Sequence, residues 1–373
     1  MQMKISYLYL HYTERLYRLN LTKLLETSSN PSERPHIEVF HDFSAHRSPM
    51  GMSSVIMGTK LYFVGGERLD MDTSTPDFWS IPISRADAKY CTNLDLFVYD
   101  TECLSIRPYN VKVPRLGGPM SYPIVVTLGD KIYVMERRPY FGYQENFFHP
   151  IFVVFNPTTG FWRSLTPPPF YKPFSREWKD DDLIMNHYAW GNNLAIVTNK
   201  SSYIFYAHQE AWREVDDLPN IYSCVEFKGF FIGMLVGVTN LISFELDGNG
   251  LPHSSNYHVL PELRKIFCPP LYNHGPGFVI PLDGDGSRMC FVYVGEDGTF
   301  ERSFARLAIV KLHISTCVGR QKVTAVPEGL HSFDCNGLEL SGQTLLSSFI
   351  QCDHLDKHGI EADASCSSPS TRP

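Results

Sequence analysis

The chain has 373 residues, with 33 Lys and Arg against 40 Asp and Glu, for a formal net charge of −7. It carries no basic stripe interleaved with aromatics, so nucleic acid is not an expected partner. A 43% hydrophobic share excludes a polar disordered chain. The longest apolar run, "FFIGMLVGV" from Phe230, falls far short of the ~20 residues a membrane helix needs, so no membrane partner is expected either. Aromatics at 13% favour strands, and 26 Gly and 26 Pro scattered along the chain signal many turns.

The opening "MQMKISYLYLHYTERLYRLNL" is interrupted at His11 and Glu14, too early for a secretory leader. Nine Cys without a C-x-x-C pair read as reduced, buried thiols. Together these predict an intracellular protein, cytoplasmic or nuclear, in which the sequons at Asn20 and Asn199 are chance matches. The strands "ISYLYL", "RLYRLNL" and "HIEVF" form a first unit that begins at what should be its second strand.

A repeat follows. "GTKLYFVGG" from Gly58, "GDKIYVMER" from Gly129, "GNNLAIVTN" from Gly191 and "KGFFIGMLV" from Lys228 each follow a short apolar strand and precede another pairing segment. "FNPTTGFW" (155–162) and "FYAHQEAW" (205–212) share one frame, and "YDTECLSI" from Tyr99 repeats it with Ile106 in place of Trp. Trp162 and Trp212 therefore read as repeat positions that pack between units. Prolines 114, 167, 219 and 261 close the units, and a sixth unit covers about 271–330. Spacings of 71, 62 and 38 residues from Gly58 to Gly229 suit units with variable insertions, which predict four-stranded antiparallel blades.

"LYFVGG" (61–66) with its Gly65-Gly66 pair, Tyr99-Asp100, Trp162, Trp212 and the trailing prolines resemble the kelch repeat. Elsewhere the double-glycine position reads Met135-Glu136 or Thr198-Asn199. The resemblance implies a β-propeller of the galactose oxidase central-domain kind; kelch substrate receptors are joined to an F-box or BTB domain, and neither is expected in this sequence, whose first blade strand comes almost at once. The expected fold is all-β: a kelch-type propeller over 1–352, of six four-stranded blades closed by N- and C-terminal strands. "LHSFDCNGLELSG" (330–342) is the expected closing segment, and 353–373 the expected flexible tail.

In such a blade the loops between strands two and three, and those between blades, emerge on one face. The long insertions 67–92, 136–150, 166–182 and 261–276 all fall there, while turns such as "LGDK" and "PTTG" fall on the other. Binding residues favour loops on a rigid scaffold. The candidate partner-binding residues are Phe78, Trp79, Arg137, Arg138, Tyr140, Phe141, Tyr143, Phe147, Phe148, Tyr171 and Trp178, types enriched at binding hot spots. Arg137 and Arg138 can face an acidic peptide or the neighbouring Asp180-Asp181-Asp182 run.

No catalytic, metal or cofactor motif emerges. "DGDGS" from Asp283 lacks the EF-hand Gly and Glu and reads, like "DGNG" from Asp247, as a turn. His36, His41 and His46, and Cys352 with His354 and His358, lack a partner motif. The expected function is a non-enzymatic scaffold for another protein, of the substrate-receptor kind. The alternative is an enzyme with a small-molecule or sugar site at the central channel.

Overall fold

In a computed structural model the chain is a six-bladed β-propeller. The structure describes residues 4–12, 15–26, 37–42, 50–69, 90–92, 96–100, 105–108, 120, 123–137, 151–171, 183–216, 218–235, 241–247, 250–252, 257–260, 272–282, 287–299, 302–316, 323–334 and 345–354.

Blade 1 holds β1 (Lys4–Tyr12), β2 (Arg15–Asn20) and β3 (Glu38–Asp42), with a short helix α1 (Leu21–Glu26) after β2. Asn20 caps that helix, its Oδ1 accepting the Lys23 N–H at 2.9 Å. Blade 2 holds β4 (Met50–Met57), β5 (Lys60–Leu69), β6 (Tyr90–Thr92), β7 (Phe97–Asp100) and β8 (Ser105–Pro108). Blade 3 is β9 (Ile124–Leu128), β10 (Lys131–Met135), β11 (Phe152–Asn156) and β12 (Phe161–Ser164). Blade 4 is β13 (Ile184–Trp190), β14 (Asn193–Thr198), β15 (Ser202–Tyr206) and β16 (Ala211–Val215). Blade 5 is β17 (Ile221–Phe227), β18 (Phe230–Leu235), β19 (Leu241–Glu245) and β20 (His258–Val259). Blade 6 is β21 (Tyr272–Pro281), β22 (Arg288–Thr299), β23 (Arg302–Thr316) and β24 (Val323–Asp334). A last strand, β25 (Leu345–His354), returns to blade 1.

The innermost strands β4, β9, β13, β17, β21 and β25 touch in sequence around the axis, and β25 meets β4 to complete the ring. There is accordingly no single core. Six hydrophobic clusters fill the six seams between neighbouring blades. Alternation along each strand makes this possible, because successive side chains leave opposite faces of the sheet and so feed opposite seams. In blade 3, Ile132 and Val134 pack towards blade 2, while Tyr133 and Met135 pack towards blade 4.

The repeat frame is realised in the pairing register. Phe155 lies opposite Trp162, Phe205 opposite Trp212, and Tyr99 opposite Ile106. Trp162 stacks on Phe155 at 4.9 Å in the seam with blade 2, and Trp212 packs between Phe205 (5.1 Å) and Phe152 (5.4 Å) in the seam with blade 3. The two tryptophans are seam residues, as their spacing predicts. The unit-opening turn is preserved as well: Gly58, Gly129 and Gly191 have φ of 60°, 61° and 51°, and Lys228 takes the same left-handed conformation at 49°.

The register corrects several expectations. β25 begins at Leu345, so the closing strand is 345–354; residues 330–334 of the expected segment belong to β24. Ring closure is pairing between the two ends of the chain, with Leu8 opposite Ile350, and it leaves no local signature. Cys352 and His354 consequently lie in a strand rather than in a tail; His358 lies outside the described residues. Lys60 and Lys131 open equivalent strands, which puts Glu136-Arg137, one residue later than expected, at the double-glycine position of blade 3. Insertion 67–92 is partly strand, since β6 pairs with the end of β5. Residues 272–276 are strand too, because β21 starts at Tyr272. Asp247 does make the expected turn: its carbonyl accepts the Gly250 N–H and its carboxylate the Leu251 N–H, both at 2.9 Å.

Blade 6 departs most from its siblings. β22 runs 12 residues where the second strands of blades 3 to 5 run five or six. β22 pairs with β23 as far as Thr299, three residues (about 10 Å) beyond its last β21 partner at Glu296, so this hairpin reaches past the rest of its blade.

Candidate functional site

Two devices fix the loop-bearing face where blades 2, 3 and 4 meet. Gly65 and Gly66, both at positive φ, end the regular part of β5, and the Gly66 N–H donates to the Met120 carbonyl at 2.7 Å. This bond pins blade 2 to the chain entering blade 3. In blade 4 the equivalent position is Asn199. Its N–H donates to the Leu183 carbonyl at 3.0 Å, and its Oδ1 accepts the Leu183 N–H at 2.8 Å. Thr198 closes the following turn by donating to the Ser201 carbonyl at 2.8 Å. Asn20 and Asn199, the two sequon residues, thus have structural work in a helix cap and a strand staple.

The staple holds the start of β13 beside the axis, with Leu183 just before the strand and Met185 within it exposed at 51% and 54%. In blade 3, the chain just past β10 carries Glu136, which is buried, and Arg137, which is half-buried. The Glu136 N–H donates to the Ile151 carbonyl at 2.9 Å and so fixes the base of the long loop. The connection from β12 runs through Pro167, Pro168 and Pro169. Phe170 then packs on Tyr203 at 5.0 Å, and Tyr171 turns back with its N–H donating to the Pro168 carbonyl at 3.0 Å. His187 lies on β13 on the side that faces blade 3.

Electrostatics ties these four side chains together. Burial, then the Glu136 carboxylate, pushes the Tyr171 phenol up to about 12. Burial, then the Arg137 cation, pushes the His187 imidazole down to about 3. At neutral pH the phenol keeps its proton and the ring stays uncharged, so neither is poised near the ambient pH as a general acid or base needs to be. Burial likewise raises the Cys224 thiol to about 12, which removes it as a nucleophile. What these groups offer at neutral pH is hydrogen bonding and charge. Among the described residues no three His, Cys, Asp or Glu side chains gather where a metal ion could bind.

Of the residues expected to form the partner site, the structure brings Arg137 and Tyr171 to one junction. Phe78, Trp79, Arg138, Tyr140, Phe141, Tyr143, Phe147, Phe148 and Trp178 lie outside the described residues. Sequence reasoning missed Glu136, Leu183, Met185 and His187. Leu183 and Met185 could not be read from alternation, because Leu183 precedes β13 and the register shifts between Ile184 and Asn186.

Residues 35–219, from the end of blade 1 to the start of blade 5, match the model of a family described as a protein of unknown function (DUF1668). No curated protein matches the chain. Among solved structures, the chain is similar to YjhT at 12% identity and a TM-score of 0.47, over 84% of this chain and 91% of that one. It is also similar to a Bacteroides uniformis protein provisionally described as a 6-phosphogluconolactonase, at 10% identity and a TM-score of 0.41, over 88% and 99% of the two chains.

Proposed function

We propose that this protein is a kelch-type propeller that works as a protein-binding scaffold and captures another protein through its loop-bearing face. The observation that carries this reading is the asymmetry between the two ends of the blades. The turns that open the units are tight, whereas the strand ends that lead into the long connections lie at the other end of the blades, where Leu183 and Met185 are exposed and Arg137 and Tyr171 are half-buried. Exposed apolar side chains, a cation and a phenol at one end of the blades have the composition of an interface, and apolar side chains left in water mark binding surfaces. The displaced pKa values of Tyr171 and His187 favour recognition over proton transfer. The setting we propose is intracellular, where buried thiols such as Cys224 and Cys290 stay reduced.

The test is affinity capture from cell lysate with in-situ cross-linking. Wild-type protein is compared with a variant carrying Arg137→Ala, Arg138→Ala, Tyr140→Ala and Phe141→Ala together, its fold checked by circular dichroism. A partner cross-linked to the loop-bearing face and lost in the folded variant is the expected result. Partners that cross-link to the short-turn face, or that the variant retains in full, overturn the assignment.

A further inference from the structure

We infer that the outer edge of blade 3 carries a second binding site: Phe161 and the Arg163 guanidinium are the two walls of an open slot that takes one planar aromatic side chain, Trp or Tyr, of a partner protein. The slot lies on the outermost strand of its blade, and it does not depend on the loop-bearing face being a binding face.

Four observations converge. First, Trp162 packs towards blade 2, so strand alternation puts Phe161 and Arg163 together on the side that faces blade 4. Two strand steps separate their Cβ atoms by about 7 Å, the thickness of one ring with a van der Waals contact on either side. Second, both walls are open. Phe161 is 59% exposed and the Arg163 side chain 53%. Among the described residues the cations that lie over rings are Arg18 and Lys228, so Arg163 covers no ring and Phe161 receives no cation. Third, the guanidinium is held in place: Arg163 donates from both terminal nitrogens to the two carboxylate oxygens of Glu210, which fixes its plane. Glu210 takes a left-handed φ of 51° where blade 3 has Gly160, and an exposed ion pair returns little stability for that strain. Fourth, the blade does not need a Phe here. The positions paired in the same way are Ala211 in blade 4 and Ser105 in blade 2. The turn before Phe161 is closed by Asn156, whose Oδ1 accepts the Thr158 N–H at 2.9 Å and whose carbonyl accepts the Gly160 N–H at 2.8 Å. The occupant follows from the walls. The negative face of an aromatic ring suits a guanidinium, and its other face stacks on Phe161. Glu210 neutralises Arg163, so the pair gives a phosphate no net charge to bind, which favours a side chain over a nucleobase.

The probes are acetyl-Gly-Trp-Gly-amide, its Leu counterpart and adenosine 5′-monophosphate, titrated into full-length protein labelled at phenylalanine ring carbons. The Phe161 signal is assigned by its absence in Phe161→Ser, and each variant's fold is checked by urea unfolding. The Trp peptide is expected to move the Phe161 ring protons upfield and saturably, as stacking requires, while the Leu peptide leaves them in place. Arg163→Gln should weaken the Trp peptide about 3-fold, the scale of one exposed cation–π contact. Arg163→Lys should weaken it as well, because an ammonium has no plane to stack. The variant with four loop substitutions should bind the Trp peptide as the wild type does. Silence towards the Trp peptide, equal responses to Trp and Leu, or an unaffected Arg163→Gln overturns the inference. Tighter binding of the nucleotide overturns it in favour of a nucleobase site. A Phe161 signal that moves with protein concentration alone overturns it in favour of a second copy of the chain. Loss of peptide binding in the loop variant refutes the independence of the two sites.

Discussion

Replacing Gly65 with Ala tests how the seam between blades 2 and 3 is held. Gly65 has φ of +79°, and a Cβ there would sit 2.4 Å from the Met120 carbonyl oxygen and 2.8 Å from Cγ of Pro123. The left-handed conformation alone costs an Ala about 1–2 kcal/mol. Relieving the clash by moving backbone adds about 1–3 kcal/mol. The displaced carbonyl is also the acceptor of the Gly66 N–H at 2.7 Å, whose loss adds about 1 kcal/mol. Gly65→Ala should therefore destabilise by roughly 3–6 kcal/mol. Gly58→Ala is the control, because Gly58 has φ of +60° with nothing within 4 Å of its would-be Cβ, so only the conformational cost of about 1–2 kcal/mol applies. The assay is equilibrium unfolding in urea followed by tryptophan fluorescence, with Trp162 reporting from the affected seam. If the two variants lose the same stability within about 0.5 kcal/mol at matched m-values, the close approach to Met120 is not what the glycine serves.

Four further outcomes are expected. His11 is buried between blades 1 and 2, its Nδ1 hydrogen-bonded to Ser54 Oγ at 2.9 Å, and burial lowers its pKa from 6.5 to about 3. The unfolded state binds the proton more readily, so the stabilisation is full above pH 6.5 and is lost as pH falls towards 3, by up to about 1.4 kcal/mol per pH unit; unfolding titrations of His11→Gln should show a shallower acid limb. Trp212 donates its indole N–H to the Thr166 carbonyl at 3.0 Å and packs on two Phe rings, so Trp212→Ala should cost about 3 kcal/mol. In the same seam Arg163 donates to both carboxylate oxygens of Glu210, but the pair is exposed, and Arg163→Ala should cost under about 1 kcal/mol in the same urea assay. Finally, truncation after residue 354 should leave the melting temperature unchanged, whereas truncation after 344 removes β25 and strips blade 1 of its axial strand. Loss of cooperative melting and a shift to aggregates on gel filtration are expected for the shorter chain; an unchanged melt would mean that β25 does not close the ring.

The amino-acid sequence by itself determined the blades. Alternation along "GDKIYVMER" assigns Ile132 and Tyr133 to opposite seams before any partner is known, and the shared frame of 155–162 and 205–212 places Trp162 and Trp212 opposite Phe155 and Phe205. These features are local, because a side chain's face follows from strand period and a hairpin's register from its turn. Even the eroded copy at Lys228 kept its place, since the left-handed turn is demanded by the strands on either side. What only the tertiary structure decided is whatever depends on residues far apart in the chain. Leu345–His354 closes the ring because blade 1 lacks an axial strand, a need that no local pattern within 345–354 records. Whether Arg137 and Tyr171 belong to one site, and whether His187 and Met185 join them, depends on the neighbouring blade bringing β13 beside β9, and burial then sets the charge of each titratable group. The sequence carries the period of the propeller, but the chemistry of its face is made where two blades meet.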